Sequence, residues 1–196
     1  MRFQKLSLAD RKLFKEFFSR QPHELSVYTF TNIYIWRGLF DISWRIIDDN
    51  LCVFFQDKIG CFLNFLPLGK KLSPRAIGES FRLMDGLNKN PAVSRVENVE
   101  AKDATILERL GYRIMSKSGE YLCSRKALAE LKGDNFKSKR AAVNFFTKHC
   151  ESRYREFSLC YKGDCLELYK LWARERFAAN IDPLYRGMLK DSLICL

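Results

Sequence analysis

The chain has 196 residues, enough for one sizeable domain or for one domain and part of a second. Hydrophobic residues make up 47%, which excludes global disorder, and no apolar run approaches the ~18 residues that cross a bilayer. A formal net charge of +11 favours phosphate-bearing partners such as nucleic acid, nucleotides or anionic lipid heads, although charge on this scale also serves solubility alone.

The opening MRFQKLSLADRKLF has neither the apolar core nor the cleavage pattern of a secretory leader. Ser7 is the expected N-cap of an amphipathic helix in which Leu8, Leu13, Phe14, Phe17 and Phe18 form the apolar side, with Pro22 beyond its end. VYTFTNIYIWRG reads as a short helix, with Ile33, Trp36 and Phe40 packing under a sheet, Asn32 in a capping role and Arg37 paired with a carboxylate. ISWRIID, LCVFFQD and GCFLNFLP then form an antiparallel meander, turned at Asp48-Asp49-Asn50 and at Asp57–Gly60. PLGKKLSP leads into a helix over Ser73–Asn88 with Pro74 in its first turn. SRVENVE predicts a strand, AKDATILERLGY a short helix stopped at Gly111, and Glu120–Cys123 a further strand with Tyr121 in the core. KALAELKG predicts a helix ending at Gly133, NFKSKRAAVNFFTKHC a basic helix, REFSLCY a strand, and Asp164 opens a last helix.

The charge is unevenly spread. Residues 124–155 hold 9 Lys/Arg against 3 Asp/Glu, whereas residues 156–196 hold 6 of each. The basic helix concentrates the excess: Phe136, Val143 and Phe146 form its apolar side, and Lys137, Arg140 and Asn144, at i, i+3 and i+7, share its polar side. Lys139 points about 100° away from Arg140, nearer the apolar side. Lys132, Gly133 and Lys137 bracket a helix start, where backbone N–H groups also favour phosphate, and Arg140 can grip a phosphate with two donors. A merely solvated helix shows the same kind of face.

The seven cysteines are odd in number and lack C-x-x-C spacing, which points to free thiols in a reducing, cytoplasmic compartment. Their spacing and the two histidines give no metal-ligand pattern, and no metal is expected. No Arg/Gln-x-x-Gly-x-Gly/Ala loop, Walker loop or dinucleotide glycine pattern occurs, so no nucleotide or acetyl-CoA cofactor is expected.

One family resembles this pattern residue by residue. Glu120-Tyr121, Leu128, Leu131-Lys132-Gly133, Phe136, Lys139-Arg140, Asn144 and Phe146 are similar to the signature of the C-terminal domain family of phosphatidylglycerol lysyltransferase, supported by Phe30–Gly38 and by Phe65–Lys70. The resemblance covers about residues 5–178 and departs at Ala141, where the family commonly has Asn. It implies an α+β fold of the GNAT type, a mixed, mostly antiparallel sheet flanked by helices. It implies a first unit over residues 1–150 carrying the basic helix, and the start of a second over 151–196, short of a full member. It further implies transfer of an aminoacyl group, such as lysyl from tRNA, to a lipid headgroup or small acceptor, with aminoacyl-tRNA and anionic phospholipid as partners and a location at the inner membrane surface. The phosphate-binding candidates are then Lys132, Gly133, Lys137, Lys139, Arg140 and Asn144, with Asn32, Arg37, Lys70 and Tyr121 as secondary candidates. A non-catalytic anion-binding module and a truncated, inactive fragment remain the alternatives; no catalytic residue is assigned.

Overall fold

The computed structural model describes residues 3–117, 119–179, 186, 187, 189 and 192. The backbone divides into two units, residues 1–117 with 166–196, and residues 118–165.

The first unit is built on a four-stranded antiparallel sheet in the order β1 (Gln4–Lys5), β2 (Asp41–Ile47), β3 (Asn50–Gln56), β4 (Cys61–Leu63). β2 and β3 pair along their full length, from Asp41 opposite Gln56 to Ile47 opposite Asn50. β3 is buried from Asn50 to Phe55 because both of its faces are covered, so it reads as a continuous apolar run. Leu51, Val53 and Phe55 face α1 (Arg11–Phe18) and α2 (Phe30–Tyr34), where Phe14, Phe17, Phe30 and Ile33 meet Ile42 and Trp44 of β2. Cys52 and Phe54 point the other way, onto Ala76 and Met84 of α3 (Pro74–Leu87). Aromatic edges lock the first face, with Phe14 perpendicular to both Phe30 (5.5 Å) and Trp44 (6.0 Å). Burial pushes the thiols of Cys52 and Cys61 up to about 11, which keeps them protonated and poorly nucleophilic. α4 (Ala101–Arg109) packs on α3 through Leu107 against Ile77 and Leu66, and ends where Gly111 takes φ +87°.

Three predicted strands do not form. SRVENVE contributes a single parallel bridge, Val96 to Leu63, with Leu63 N–H donating to Arg95 (3.0 Å) and Glu97 N–H to Leu63 (2.9 Å). Glu120–Cys123 is irregular, REFSLCY is irregular up to Ser158 and then turns into a 3-10 helix, and Tyr121, expected in the core, is fully exposed. β1, a polar two-residue edge strand, was not anticipated.

Asn88 ties α3 to β4. Its side chain accepts from Cys61 N–H (2.6 Å) and donates to the Cys61 carbonyl (2.9 Å), copying one rung of a ladder. Gly60 is required beside it, since a Cβ there would lie 2.7 Å from Asn88 Oδ1 and 2.6 Å from Val93 Cγ2.

The second unit holds α5 (Arg125–Glu130), a 3-10 turn (Asp134–Phe136), α6 (Lys137–His149) and a second 3-10 turn (Leu159–Tyr161). α7 (Lys162–Ala179) begins within it and continues in the first unit, where Ala173 is buried and Tyr169 donates to Leu189 (2.9 Å). Among residues 119–165 no side chain is buried.

Asn88→Ala should lower the unfolding free energy by roughly 2–4 kcal/mol, because it leaves the buried Cys61 N–H and carbonyl unpaired. Urea unfolding measures it, and an unchanged midpoint would refute the role given to this amide.

Candidate functional site

Local geometry in the second unit explains where its cations sit. Ser124 caps α5, its hydroxyl accepting from Ala127 N–H (3.3 Å). The helix ends with Leu131 in the left-handed region, φ 48° and ψ 32°, where Gly133 had been expected as the stop. Gly133 instead takes φ +87° and ψ 171°, a conformation open to glycine almost alone, and starts the turn into α6.

Arg140 closes this corner. Its guanidinium donates to the Leu131 carbonyl at the end of α5 and to the Gly133 carbonyl (2.6 Å), which also accepts from Phe136 N–H (3.3 Å) in the turn that follows. A cation at a helix C-terminus is also favoured by the helix dipole. Part of the bonding capacity expected for a phosphate is therefore used within the fold. Lys132 reaches Glu130 at 3.3 Å in an exposed pair, an interaction that contributes little and exchanges readily. Lys137, Lys139 and Asn144 are exposed on α6, and among the described residues neither lysine has a carboxylate within 4.0 Å.

The sequence from Asn135 to Cys150 contains no acid. Lys148 and His149 at the C-terminal end of α6 suit its dipole, but Lys137, Lys139 and Arg140 crowd the positive end, where acids are favoured. Asp134 in the preceding turn is the nearest acid in sequence.

The secondary candidates fall elsewhere. Asn32 Nδ2 donates to Ser26 Oγ (3.3 Å), and its backbone N–H donates to Thr29, which is the actual cap of α2. Arg37 stacks its guanidinium 3.8 Å from the centre of the Tyr34 ring instead of meeting a carboxylate; the ring face supplies the negative potential. Lys70 is exposed after Gly69, and Gly69 lies against Asn50 so closely that a Cβ would meet it at 2.8 Å.

Two polar groupings in the first unit have no local sequence signal, since their members are distant in the chain. Glu100, buried at the start of α4, accepts from Glu24 N–H (2.7 Å), lies 2.7 Å from Lys102 Nζ and 3.3 Å from His23 Nδ1; His23 stacks on Tyr28 at 3.8 Å. Burial alone would raise the Glu100 carboxyl, but hydrogen bonds from Lys102, Glu24 and His23 outweigh it and hold the group below its ordinary value. Burial pushes the Tyr28 phenol upward, with Glu100 and Asp103 adding to the shift. Separately, Arg45, Asp48, Arg75 and Glu79 line a cleft of about 280 Å³. Among the described residues no three His, Cys, Asp or Glu side chains gather to hold a metal, and no helix is long and apolar enough to cross a membrane.

The antiparallel sheet with helices on both faces defines an α+β protein consistent with a GNAT-like fold. The family described as phosphatidylglycerol lysyltransferase, C-terminal, matches residues 18–187, and the chain belongs to that family. Comparison with curated proteins gives no match. Among solved structures, it is similar to the crystal structure of a conserved protein of unknown function from Bacteroides thetaiotaomicron VPI-5482, with a TM-score of 0.78 and 22% identity, over 97% of this chain and 66% of that one. That likeness concerns the fold, and the chain spans 66% of that protein's length.

The Glu100 carboxylate contributes stability above the pKa it has when unfolded, near ~4.3, and loses it as pH falls through its lower folded value. Glu100→Gln should therefore destabilise the protein at pH 7, with the gap to the parent narrowing in acid. Thermal unfolding across pH checks this; a gap independent of pH would show that the charge is not responsible. Arg140→Ala should unlatch the corner between α5 and α6, raising the rate of proteolysis within residues 131–137 severalfold, while Lys132→Ala leaves it unchanged. Equal rates for both variants would refute the latch.

Proposed function

We propose that this chain is an aminoacyltransferase-related protein whose second unit binds the phosphates of an aminoacyl-tRNA, delivering the aminoacyl group to a lipid headgroup or other small acceptor. Family membership over residues 18–187 carries this reading. The cations of α6 support it physically: Lys137 and Lys139, with no carboxylate within 4.0 Å among the described residues, offer donors at a helix start that would itself favour anionic oxygen. Lys139 extends the positive field around the helix, and Arg140 fixes the backbone that presents them.

In the reaction, the acceptor hydroxyl oxygen bonds to the aminoacyl carbonyl carbon. The ester bond to the tRNA ribose breaks, and the proton released by the acceptor ends on the ribose oxygen. Stabilising the oxyanion formed on the way needs fixed donors in a site screened from water. Among its described residues the second unit has no buried side chain, so it suits capture of the charged partner better than bond making. The same observation favours, as a second reading, a module that binds anions without turnover.

Transfer of a labelled amino acid from charged tRNA to extracted lipid, followed by chromatography, separates the two. Labelled lipid is expected. Lys132→Ala with Lys137→Ala should raise the tRNA concentration needed for half-maximal rate about tenfold and flatten the salt dependence of binding by roughly one to two in log–log slope. Salt-sensitive tRNA binding without labelled product would establish the binding module. Unaltered tRNA affinity in the double variant would remove this surface from the mechanism.

A further inference from the structure

The first unit carries a cationic cleft that the proposed transfer does not use. Arg45 stands directly opposite Cys52 across β2 and β3, and directly paired residues project to the same face, so its side chain leaves the sheet on the side covered by α3. Arg75 and Glu79 share a face of α3 at i and i+4, and with Arg45, Ile46, Ile47 and Asp48 they line the cleft of about 280 Å³. Both acids of the cleft are engaged: Glu79 accepts two hydrogen bonds from Arg82 (2.8 and 2.6 Å), and Asp48 accepts from Ser73 Oγ (2.5 Å). The two guanidiniums are not. Among the described residues neither Arg45 nor Arg75 has a carboxylate within 4.0 Å, and Arg45 Nε is enclosed without any acceptor. An enclosed N–H left unpaired costs free energy that a bound oxygen would return. The hydrogen bond from Arg82 holds the Glu79 carboxyl below its ordinary value, and the charges of Arg45 and Arg75 add to it, so both guanidiniums act on one small region.

We propose that this cleft binds a phosphate monoester of a small soluble molecule, with the terminal phosphate held between Arg45 and Arg75. Charge selects the monoester: at pH 7 it carries roughly −1.5 to −2, which two guanidiniums answer. Geometry selects it too, since its three terminal oxygens let each guanidinium take two with one shared. A phosphodiester, the form inside lipids and nucleic acid, carries about −1 and has two free oxygens, which one guanidinium satisfies. A carboxylate is likewise satisfied by one. Ile46, 38% exposed, gives the ester's carbon body an apolar contact, and the body must be small because the cleft falls just under the ~300 Å³ at which pockets for drug-sized ligands begin. The site lies wholly in the first unit and uses none of the α6 cations, so it stands apart from the tRNA reading.

The test is titration of the full chain at pH 7 and constant ionic strength with methyl phosphate, dimethyl phosphate and acetate, followed by amide NMR shifts. Methyl phosphate should shift the amides around Arg45 and Arg75 and bind at least about tenfold more tightly than either of the others. Arg75→Gln should raise its Kd about tenfold; Arg75 is exposed, so the change cuts into no core, and circular dichroism checks the fold. Glu79→Gln removes a negative charge from the wall and should lower the Kd severalfold. Lys58→Gln, which removes an exposed cation from the turn after β3, should leave it unchanged. No shift in the parent, equal affinity for the three anions, an Arg75→Gln variant that binds like the parent, or an equal loss in Lys58→Gln overturns the proposal. tRNA binding of Arg75→Gln is measured alongside and should match the parent. A tenfold loss there would assign the cleft to the phosphate at a tRNA 5′ end and overturn the soluble ligand.

Discussion

The tight turn between β2 and β3 is the constraint on which the first unit depends. Ile47 and Asn50 pair directly, so only Asp48 and Asp49 connect the strands, and both take positive φ, 50° and 55°. A two-residue hairpin requires this because its twist must match that of the strands. Aspartate tolerates the left-handed region better than most residues, yet the conformation still carries strain that the surroundings must offset. They do so from three directions. Arg20, after α1, donates to the Asp49 carbonyl (3.3 Å) and carboxylate (3.4 Å). Asn50 donates to the Asp48 carbonyl (2.7 Å), and Ser73, the cap of α3, donates to the Asp48 carboxylate (2.5 Å). A single turn thus sets the register of the central strands and ties the helices on both faces to it.

That register decides which face each side chain meets. A slip of one residue would turn Leu51, Val53 and Phe55 away from the aromatic cluster under α1 and α2, and would put Cys52 and Phe54 there instead. The apolar run Leu51–Phe55 of β3 cannot fix its own register by alternation of polar and apolar residues, since both faces are buried. The turn supplies what the pattern lacks.

This also accounts for what could be read from the sequence. The meander, its Asp48-Asp49-Asn50 turn and the helices were legible because each rests on local chemistry: turn residues, a Ser73 cap followed by Pro74, and an apolar stripe in residues 11–18. The strands expected at SRVENVE, Glu120–Cys123 and REFSLCY depend on a neighbouring edge, which no local pattern reports. Val96 finds such an edge for one bridge only, while Tyr121 and Phe157 remain exposed. The cationic cluster was visible in composition, but the division of labour within it was not. Arg140 and Lys139 are adjacent in sequence; one turns back onto the Leu131 and Gly133 carbonyls and the other does not. Likewise Glu100 draws on His23 and Glu24, more than seventy residues away, which no spacing rule connects.

The electrostatics of α6 argue that its cations serve something outside the fold. Lysines near the positive end of a helix dipole cost a few tenths of a kcal/mol each when nothing answers them, and the first turn of α6 contains no acid. A helix placed only to be solvated would be more stable with acids there and lysines at its far end. Here the far end already carries Lys148 and His149, so the whole helix is cationic while its other flank exposes Val143 and Phe146. Arg140 meets a structural need by capping carbonyls; the neighbouring lysines meet none that the described residues reveal. An anionic partner such as the phosphates of a tRNA would remove the repulsion at the helix start.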